Sequence, residues 1–321
     1  MALNRISSAR ASVVRPLLGF ASLALLAAGC GGEPAKSERA VREQPIVLTS
    51  SWPIWSFANR MAGDLAQVEC LLAPGRDARV FQPDRALLAA MGDADLVLLN
   101  GANLEPWAST VSLPSGRTVD LSKPFASELI EVDDVVCHSH GPGETHTHSG
   151  TDPHYWLDPA LAERQIRGIR QALGTVLPSK EAAVRLDEAV VGLLDELAAI
   201  EAALAAIPAP VEGEVLVATH PTWGYVARRA GWKVEDVPLD LSGELNDAQV
   251  ALVKRRFSEL RPRAVLWEAA PKPEVAARLQ QEFGAPSVVF AADALRGEAE
   301  LDLDTLARLR SGVESLAAAL R

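Results

Sequence analysis

Five of the six histidines in this 321-residue chain, His138, His140, His146, His148 and His154, fall within CHSHGPGETHTHSGTDPHYWLDP at 137–159. The sixth, His220, lies far downstream in VATHPTWGYVARRAG. Imidazole at that density is metal-binding chemistry. With a reference pKa near 6.5 the rings are mostly neutral at pH 7, hold a lone pair for a cation, and release it as pH falls. His138 with His140, and His146 with His148, are pairs two residues apart separated by a GPGE turn. Such an arrangement chelates loosely and reconfigures, and Cys137 could add a thiolate. These four histidines therefore read as an accessory capture loop, the alternative being a merely solvated polar segment.

The elements that must position this chemistry are short apolar strands alternating with helical stretches. Strands are expected at 46–51, 68–74, 94–101 and 118–122 in the first half, and at 215–219, 233–237, 264–268 and 287–290 in the second. Helical patterns at Ile54 to Ala62, Arg85 to Met91 and Glu105 to Thr110 separate the first set. This predicts an α/β fold of two lobes, each with a mostly parallel sheet flanked by helices. Between them, over 179–208, Leu186, Val190, Leu193, Leu197, Ile200, Leu204 and Ile207 share one helical face, with Ser179 as cap and Pro208 as stop. A helix of that span runs roughly 43 Å, enough to join two lobes rigidly. The alternative is a coiled-coil dimer seam. The expected organisation is a leader over 1–30, a tether over 31–45, one lobe over 46–178 carrying the loop 137–151, the linker helix 179–208, and a second lobe over 209–321.

In parallel sheets ligands sit beyond the carboxyl ends of the strands. His220, Glu268 and Asp293 fall there, and His154 lies in the loop before the helix that starts near Pro159. Two imidazoles and a carboxylate suit Zn(II) well, and Mn(II) or Fe(II) less well, with no soft thiolate obviously in play.

The address agrees with this chemistry. Arg5, Arg10 and Arg15 precede an apolar run from Leu17 to Ala28, then Gly29 and Cys30, as in a secretory leader. The run is about 12 residues where a membrane span needs roughly 20. Cys30 after LLAAG resembles a bacterial lipobox, with Ala27 where leucine is usual, and implies a lipid-anchored mature protein outside the cytoplasm; a soluble exported form is the alternative. GGEPAKSERAVREQP then reads as a flexible tether. The balance of 42 Asp plus Glu against 31 Lys plus Arg, net −11, argues against a nucleic-acid partner.

Several stretches, LAPGRDARVFQPD (72–84), ADLVLLNGANLEPW (94–107), DPHYWLDP (152–159), ATHPTWGYVARRAG (218–231), VLWEAAPKP (265–273) and VVFAADAL (288–295), resemble the substrate-binding lipoproteins of zinc and manganese ABC importers. The resemblance implies two α/β lobes joined by a rigid helix, one cleft metal, a monomeric periplasmic protein anchored to the membrane, and an importer permease as partner. It places the chain in the zinc branch through its histidine-rich loop, and matches His154, His220 and Asp293 to metal ligands.

The fourth correspondence fails: where the family usually has a histidine after the second strand, this chain has Arg79. A guanidinium has no lone pair to give. About 4 Å from a dication it would be repelled by roughly 8 kcal/mol at an effective dielectric near 20. Arg79 therefore faces solvent or a carboxylate, or it pairs with Asp293, and water, Asp77, Glu268 or a loop histidine completes the metal. Two other readings stay open: a zinc hydrolase using His154, His220 and Asp293 with Glu268 as base, and a degenerate member with an adhesive or signalling role.

Overall fold

The computed structural model describes residues 42–132, 138–139, 145–146, 150–237, 246–256, 260–293 and 304–321. The leader, most of the tether and Cys30 lie outside the described residues, as do Cys137, His140 and His148; for His138 and His146 only the backbone is described.

Strands β1 (Ile46–Thr49), β2 (Gln67–Cys70), β3 (Leu96–Leu99) and β4 (Thr118–Asp120), with α1 (Trp52–Ala62) and α2 (Arg85–Asp93) between them, form a wholly parallel sheet ordered β2-β1-β3-β4. Two short antiparallel ladders follow. One pairs β5 (Glu131–Val132) with β8 (Gly150–Thr151); the other pairs β6 (His138–Ser139) with β7 (Thr145–His146), which sets His138 opposite His146. After α3 (Pro159–Val176) and α4 (Lys180–Ala205), the second sheet contains β9 (Glu214–Ala218), β10 (Val234–Asp236), β11 (Arg261–Trp267) and β12 (Ser287–Val289). It is also parallel, ordered β10-β9-β11-β12, with α5 (Gly224–Ala230), α6 (Asp247–Arg256) and α7 (Pro273–Phe283) as connections and α8 (Thr305–Ala319) closing the chain.

The expected pair of parallel-sheet lobes is thus present, and both sheets have the same order although no repeat is visible in the sequence. In each, the chain leaves the first strand on one side and returns on the other, so a switch point opens between β1 and β3 and again between β9 and β11. His220 follows β9 and Glu268 follows β11, which puts them side by side at the second switch point.

The long helix forms as its apolar period demands. Leu186, Val190, Leu193, Leu197, Ile200 and Leu204 are buried, and Ser179 caps the start by accepting the Ala182 N–H at 3.0 Å. Its stripe packs on α1 and α3 from the first half and α5 and α8 from the second, so the face expected of a dimer seam is covered by this chain's own helices. The helix ends at Ala205, three residues before Pro208, because a residue preceding proline is pushed out of the helical region. The pattern at Glu105 to Thr110 becomes only a 3-10 turn, Pro106–Ser109, since Glu105 turns back to accept the Asn100 and Gly101 amides.

That same acceptance explains NGANLEPW. Gly101, Ala102 and Asn103 are three successive left-handed residues, and a Cβ on Gly101 would lie 1.9 Å from Asp120 Oδ1, so glycine is required there. The tight turn brings Glu105 under β1, where it also accepts the Ser50 hydroxyl. Burial pushes its carboxyl up to about 7 despite these donors. The motif builds the first lobe's strand ends rather than binding metal.

Candidate metal centre

Six of the residues singled out from the sequence, Asp77, Arg79, His154, His220, Glu268 and Asp293, line one cavity together with Ser51 and Trp156. Its volume is about 20 Å³, room for one or two water-sized occupants.

His154 sits at the start of the 3-10 turn Tyr155–Leu157 and is 2% exposed. Asp152, two residues earlier, accepts both its backbone N–H at 2.9 Å and its Nδ1 at 2.7 Å. Asp152 is in turn held by its own backbone, donating to Ile130 and accepting from the Tyr225 hydroxyl. With Nδ1–H committed to a carboxylate, Nε2 carries the lone pair, the arrangement in which an outer carboxylate orients a ligating histidine. The ring also stands edge-on to Trp156, 5.3 Å between centroids.

His220 reaches the same state by a different route. Its Nδ1 is 2.5 Å from Thr222 Oγ1, and that hydroxyl donates to Glu268 Oε1 at 3.0 Å. A hydroxyl has one proton, so the imidazole must donate to Thr222 and Nε2 again keeps the lone pair. The His154 and His220 rings lie 6.3 Å apart between centroids, at 82°. Burial pushes the Glu268 carboxyl upward, with His154 and the Thr222 hydrogen bond opposing that shift.

Asp293 is 3% exposed at φ 61, a left-handed conformation that an aspartate adopts at a cost of roughly 1 kcal/mol. Two indoles fix the segment before it: Trp156 donates to Ala292 O at 2.8 Å and Trp223 to Phe290 O at 3.1 Å. The Asp293 carboxylate accepts from the Thr305 hydroxyl and forms an ion pair with Arg308, Nε to Oδ1 2.5 Å. Arg308 enters because α8 lies close on β12, where a Cβ on Gly312 would meet Phe290 at 2.1 Å.

Arg79 does not turn to solvent. Its turn is pinned by Asp77, whose Oδ1 accepts the Arg79 N–H at 2.8 Å, and by the burial of Ala78 and Phe81 on either side. Burial pulls the guanidinium's pKa down from its ordinary value, while Asp152 and Asp77 act to raise it. Of the two alternatives drawn from the sequence, the neighbouring carboxylates are therefore present, and Asp293 has Arg308 as an ion-pair partner.

Among the described residues no group of three or more His, Cys, Asp or Glu side chains meets the spacing of a finished metal centre. What the cavity does gather is two oriented imidazoles and the three carboxylates of Asp77, Glu268 and Asp293, groups whose chemistry suits a divalent cation. Sequence reasoning missed Asp152, Thr222, Thr305 and Arg308. The first two carried a signal, since each stands two residues from a histidine; Thr305 and Arg308 had none, because only the packing of α8 brings them in.

The family model described as zinc-uptake complex component A, periplasmic (ZnuA), matches residues 47–319. The high-affinity zinc uptake system protein ZnuA of Bacillus subtilis is 26% identical over 279 residues, 85% of this chain and 86% of that protein. The zinc-binding lipoprotein AdcA of Streptococcus pneumoniae is 26% identical over 216 residues, 67% of this chain, but the match spans only 42% of that longer protein. Among solved structures, the metal-dependent lipoprotein YcdH of Bacillus subtilis superposes with a TM-score of 0.70 at 21% identity, covering 87% of this chain and all of that one. The Zn(II)-bound ZnuA-like domain of Streptococcus pneumoniae AdcA gives 0.69 at 19% identity, covering 86% and 99%. At such identities the structural likeness speaks for the fold.

Proposed function

The chain belongs to the ZnuA family of periplasmic zinc-uptake components, and we propose that it captures one Zn(II) between its two sheets and hands it to an ABC importer. The observation that carries this reading is the pair of oriented imidazoles. His154 and His220 come from opposite lobes, each with Nδ1 committed to a partner and Nε2 left as the ligating nitrogen, in one cavity. In this reading His154, His220 and Asp293 hold the ion, and Glu268 or a water completes it.

Zinc is favoured over manganese and iron because two imidazoles with one carboxylate match its tetrahedral preference. The zinc-named relatives support that choice, although the Yersinia pestis relative YfeA is named an iron-binding protein. The histidine loop around 138–148 would raise the local zinc concentration near the cleft. Anchoring through Cys30, a monomeric state and the partner permease belong to the same proposal; the leader pattern and the lipoprotein relatives support the first. No observation favours the hydrolytic or adhesive readings over transport.

The direct test is a zinc titration of the mature protein against a chelating indicator. One tight ion with weaker loop sites is expected; the absence of any tight ion would overturn the proposal.

A further inference from the structure

We propose that Tyr225, from the second lobe, is a positioning residue for zinc binding: its hydroxyl sets the place of Asp152 and, through Asp152, the ligating orientation of His154 in the first lobe. This rests on the zinc-capture reading above and deepens it.

The ladder between β5 and β8 pairs Glu131 with Thr151 and Val132 with Gly150, and one step further its register sets Ile130 opposite Asp152. A hydrogen-bonded pair in an antiparallel ladder exchanges two bonds directly. Here one of them is direct, from the Asp152 N–H to Ile130 O at 2.8 Å. The other passes through a side chain: the Ile130 N–H donates to the Tyr225 hydroxyl at 3.0 Å, and that hydroxyl donates to Asp152 O at 2.9 Å. The phenol is thus a rung of the ladder. It is fully buried, and burial pushes its pKa up, so it keeps the proton it gives to Asp152 at any ordinary pH. Asp152 in turn holds His154 by the backbone N–H and by Nδ1.

The start of α5 is built for this contact. A Cβ on Gly224 would stand 3.2 Å from Asp152 Oδ2, so the missing side chain lets the helix begin against the ladder. One turn on, Arg228 lies 4.9 Å over the Tyr225 ring and donates to Glu128 O at 3.1 Å and to Asp158 Oδ2 at 3.2 Å, fastening the same helix to the first lobe. His220 precedes Tyr225 in the same segment, with its ring held by Thr222. The segment 220–225 therefore orients both imidazoles, His220 through Thr222 and His154 through Tyr225 and Asp152. Their 6.3 Å separation depends on this hydroxyl as well as on the packing of the lobes. Without the hydroxyl, the Ile130 N–H and the Asp152 carbonyl must rejoin directly or go unpaired, and either outcome moves or loosens Asp152.

The test is Tyr225→Phe in the full mature chain, which keeps the ring and removes only the hydroxyl. Zinc affinity, measured by competition with a chelator, should fall about tenfold, the lower end of what outer partners of a ligating histidine contribute. Nitrogen NMR spectra of the imidazoles in the zinc-free protein, assigned with His154→Ala and His220→Ala, should show a single Nδ1–H form of His154 in the parent. In Tyr225→Phe the His154 signal should shift or broaden while that of His220 stays in place, a selectivity that a merely structural role would not produce. In an Asp152→Ala background, where no carboxylate remains to hold the ring, the same change should cost less than about threefold, because the two substitutions break one chain of contacts. If Tyr225→Phe does not fold, hydrogen exchange in the parent decides: one equivalent of zinc should slow the Ile130 amide about tenfold, and fail to do so in His154→Ala, since coupling between two positions is reciprocal. A folded Tyr225→Phe that binds zinc within about twofold of the parent, a loss undiminished in the Asp152→Ala background, or an Ile130 amide indifferent to zinc overturns the proposal and leaves zinc capture intact. No tight zinc in the parent contradicts zinc capture itself, and the zinc-free spectra then decide the positioning of His154 on their own.

Discussion

Replacing Asp152 by Asn changes charge while keeping shape, and it isolates what the outer carboxylate does for His154. An asparagine carbonyl can still accept the two hydrogen bonds that Asp152 Oδ1 now accepts, from the His154 backbone at 2.9 Å and from Nδ1 at 2.7 Å. The ring therefore keeps its orientation and its tautomer. What goes is a negative charge lying roughly 7 Å from a zinc on Nε2, worth at most about 5 kcal/mol against a dication at an effective dielectric near 20. Substitutions of this kind at metal-bound histidines usually cost 10- to 100-fold in affinity, about 1.4 to 2.7 kcal/mol. Arg79 adds to the loss, because Asp152 is one of the two carboxylates acting on it. Zinc affinity should fall between about tenfold and a few hundredfold, measured by competition with a chelator at pH 7.5, while the metal-free protein keeps its circular dichroism spectrum. A folded variant with affinity within twofold of the parent would refute the claim that this carboxylate tunes the site.

Thr222→Val removes the hydroxyl linking His220 to Glu268 and leaves a buried Nδ1–H without that acceptor; zinc affinity should drop about tenfold, for a lost interaction of 1–3 kcal/mol, and an unchanged titration would exclude the linkage. Glu105 gives a pH signature: its folded pKa of about 7 lies above the ordinary 4.5, so the stability it contributes is full below pH 4.5 and lost as pH rises through 7. The denaturation free energy of the parent, compared with Glu105→Gln, should accordingly decline by up to about 3 kcal/mol between pH 4.5 and 7.5, and parallel pH profiles would show that burial does not hold the proton. Deleting 138–148 should lower the number of bound zinc ions and preserve the tightest; losing the tight ion would make a loop histidine the missing ligand.

The sheets and the long helix were legible because their signals are local and periodic. The short apolar runs at 46–49, 96–99 and 215–218, rich in β-branched residues and leucine, read as buried strands, and the stripe from Leu186 to Leu204 has one face to hide. The cavity residues were legible for a topological reason: parallel strands deliver the residues after their last positions to one end of the sheet, so His220 and Glu268 converge without sharing any local pattern. The features that stayed hidden depend on long-range packing. Arg308 meets Asp293 only because Gly312 lets α8 close on Phe290, and nothing in the residues around position 308 encodes that distance. Glu105 read as a helix start, whereas three left-handed residues before it redirect its side chain onto backbone amides.

The central claim is that His154 and His220 hold one metal between them. It is tested most directly by titrating zinc into His154→Ala and His220→Ala, each checked for native folding. The account predicts that either change alone abolishes the tightest binding step and leaves any weaker loop binding in place; a single variant that still binds one zinc as tightly as the parent would contradict it.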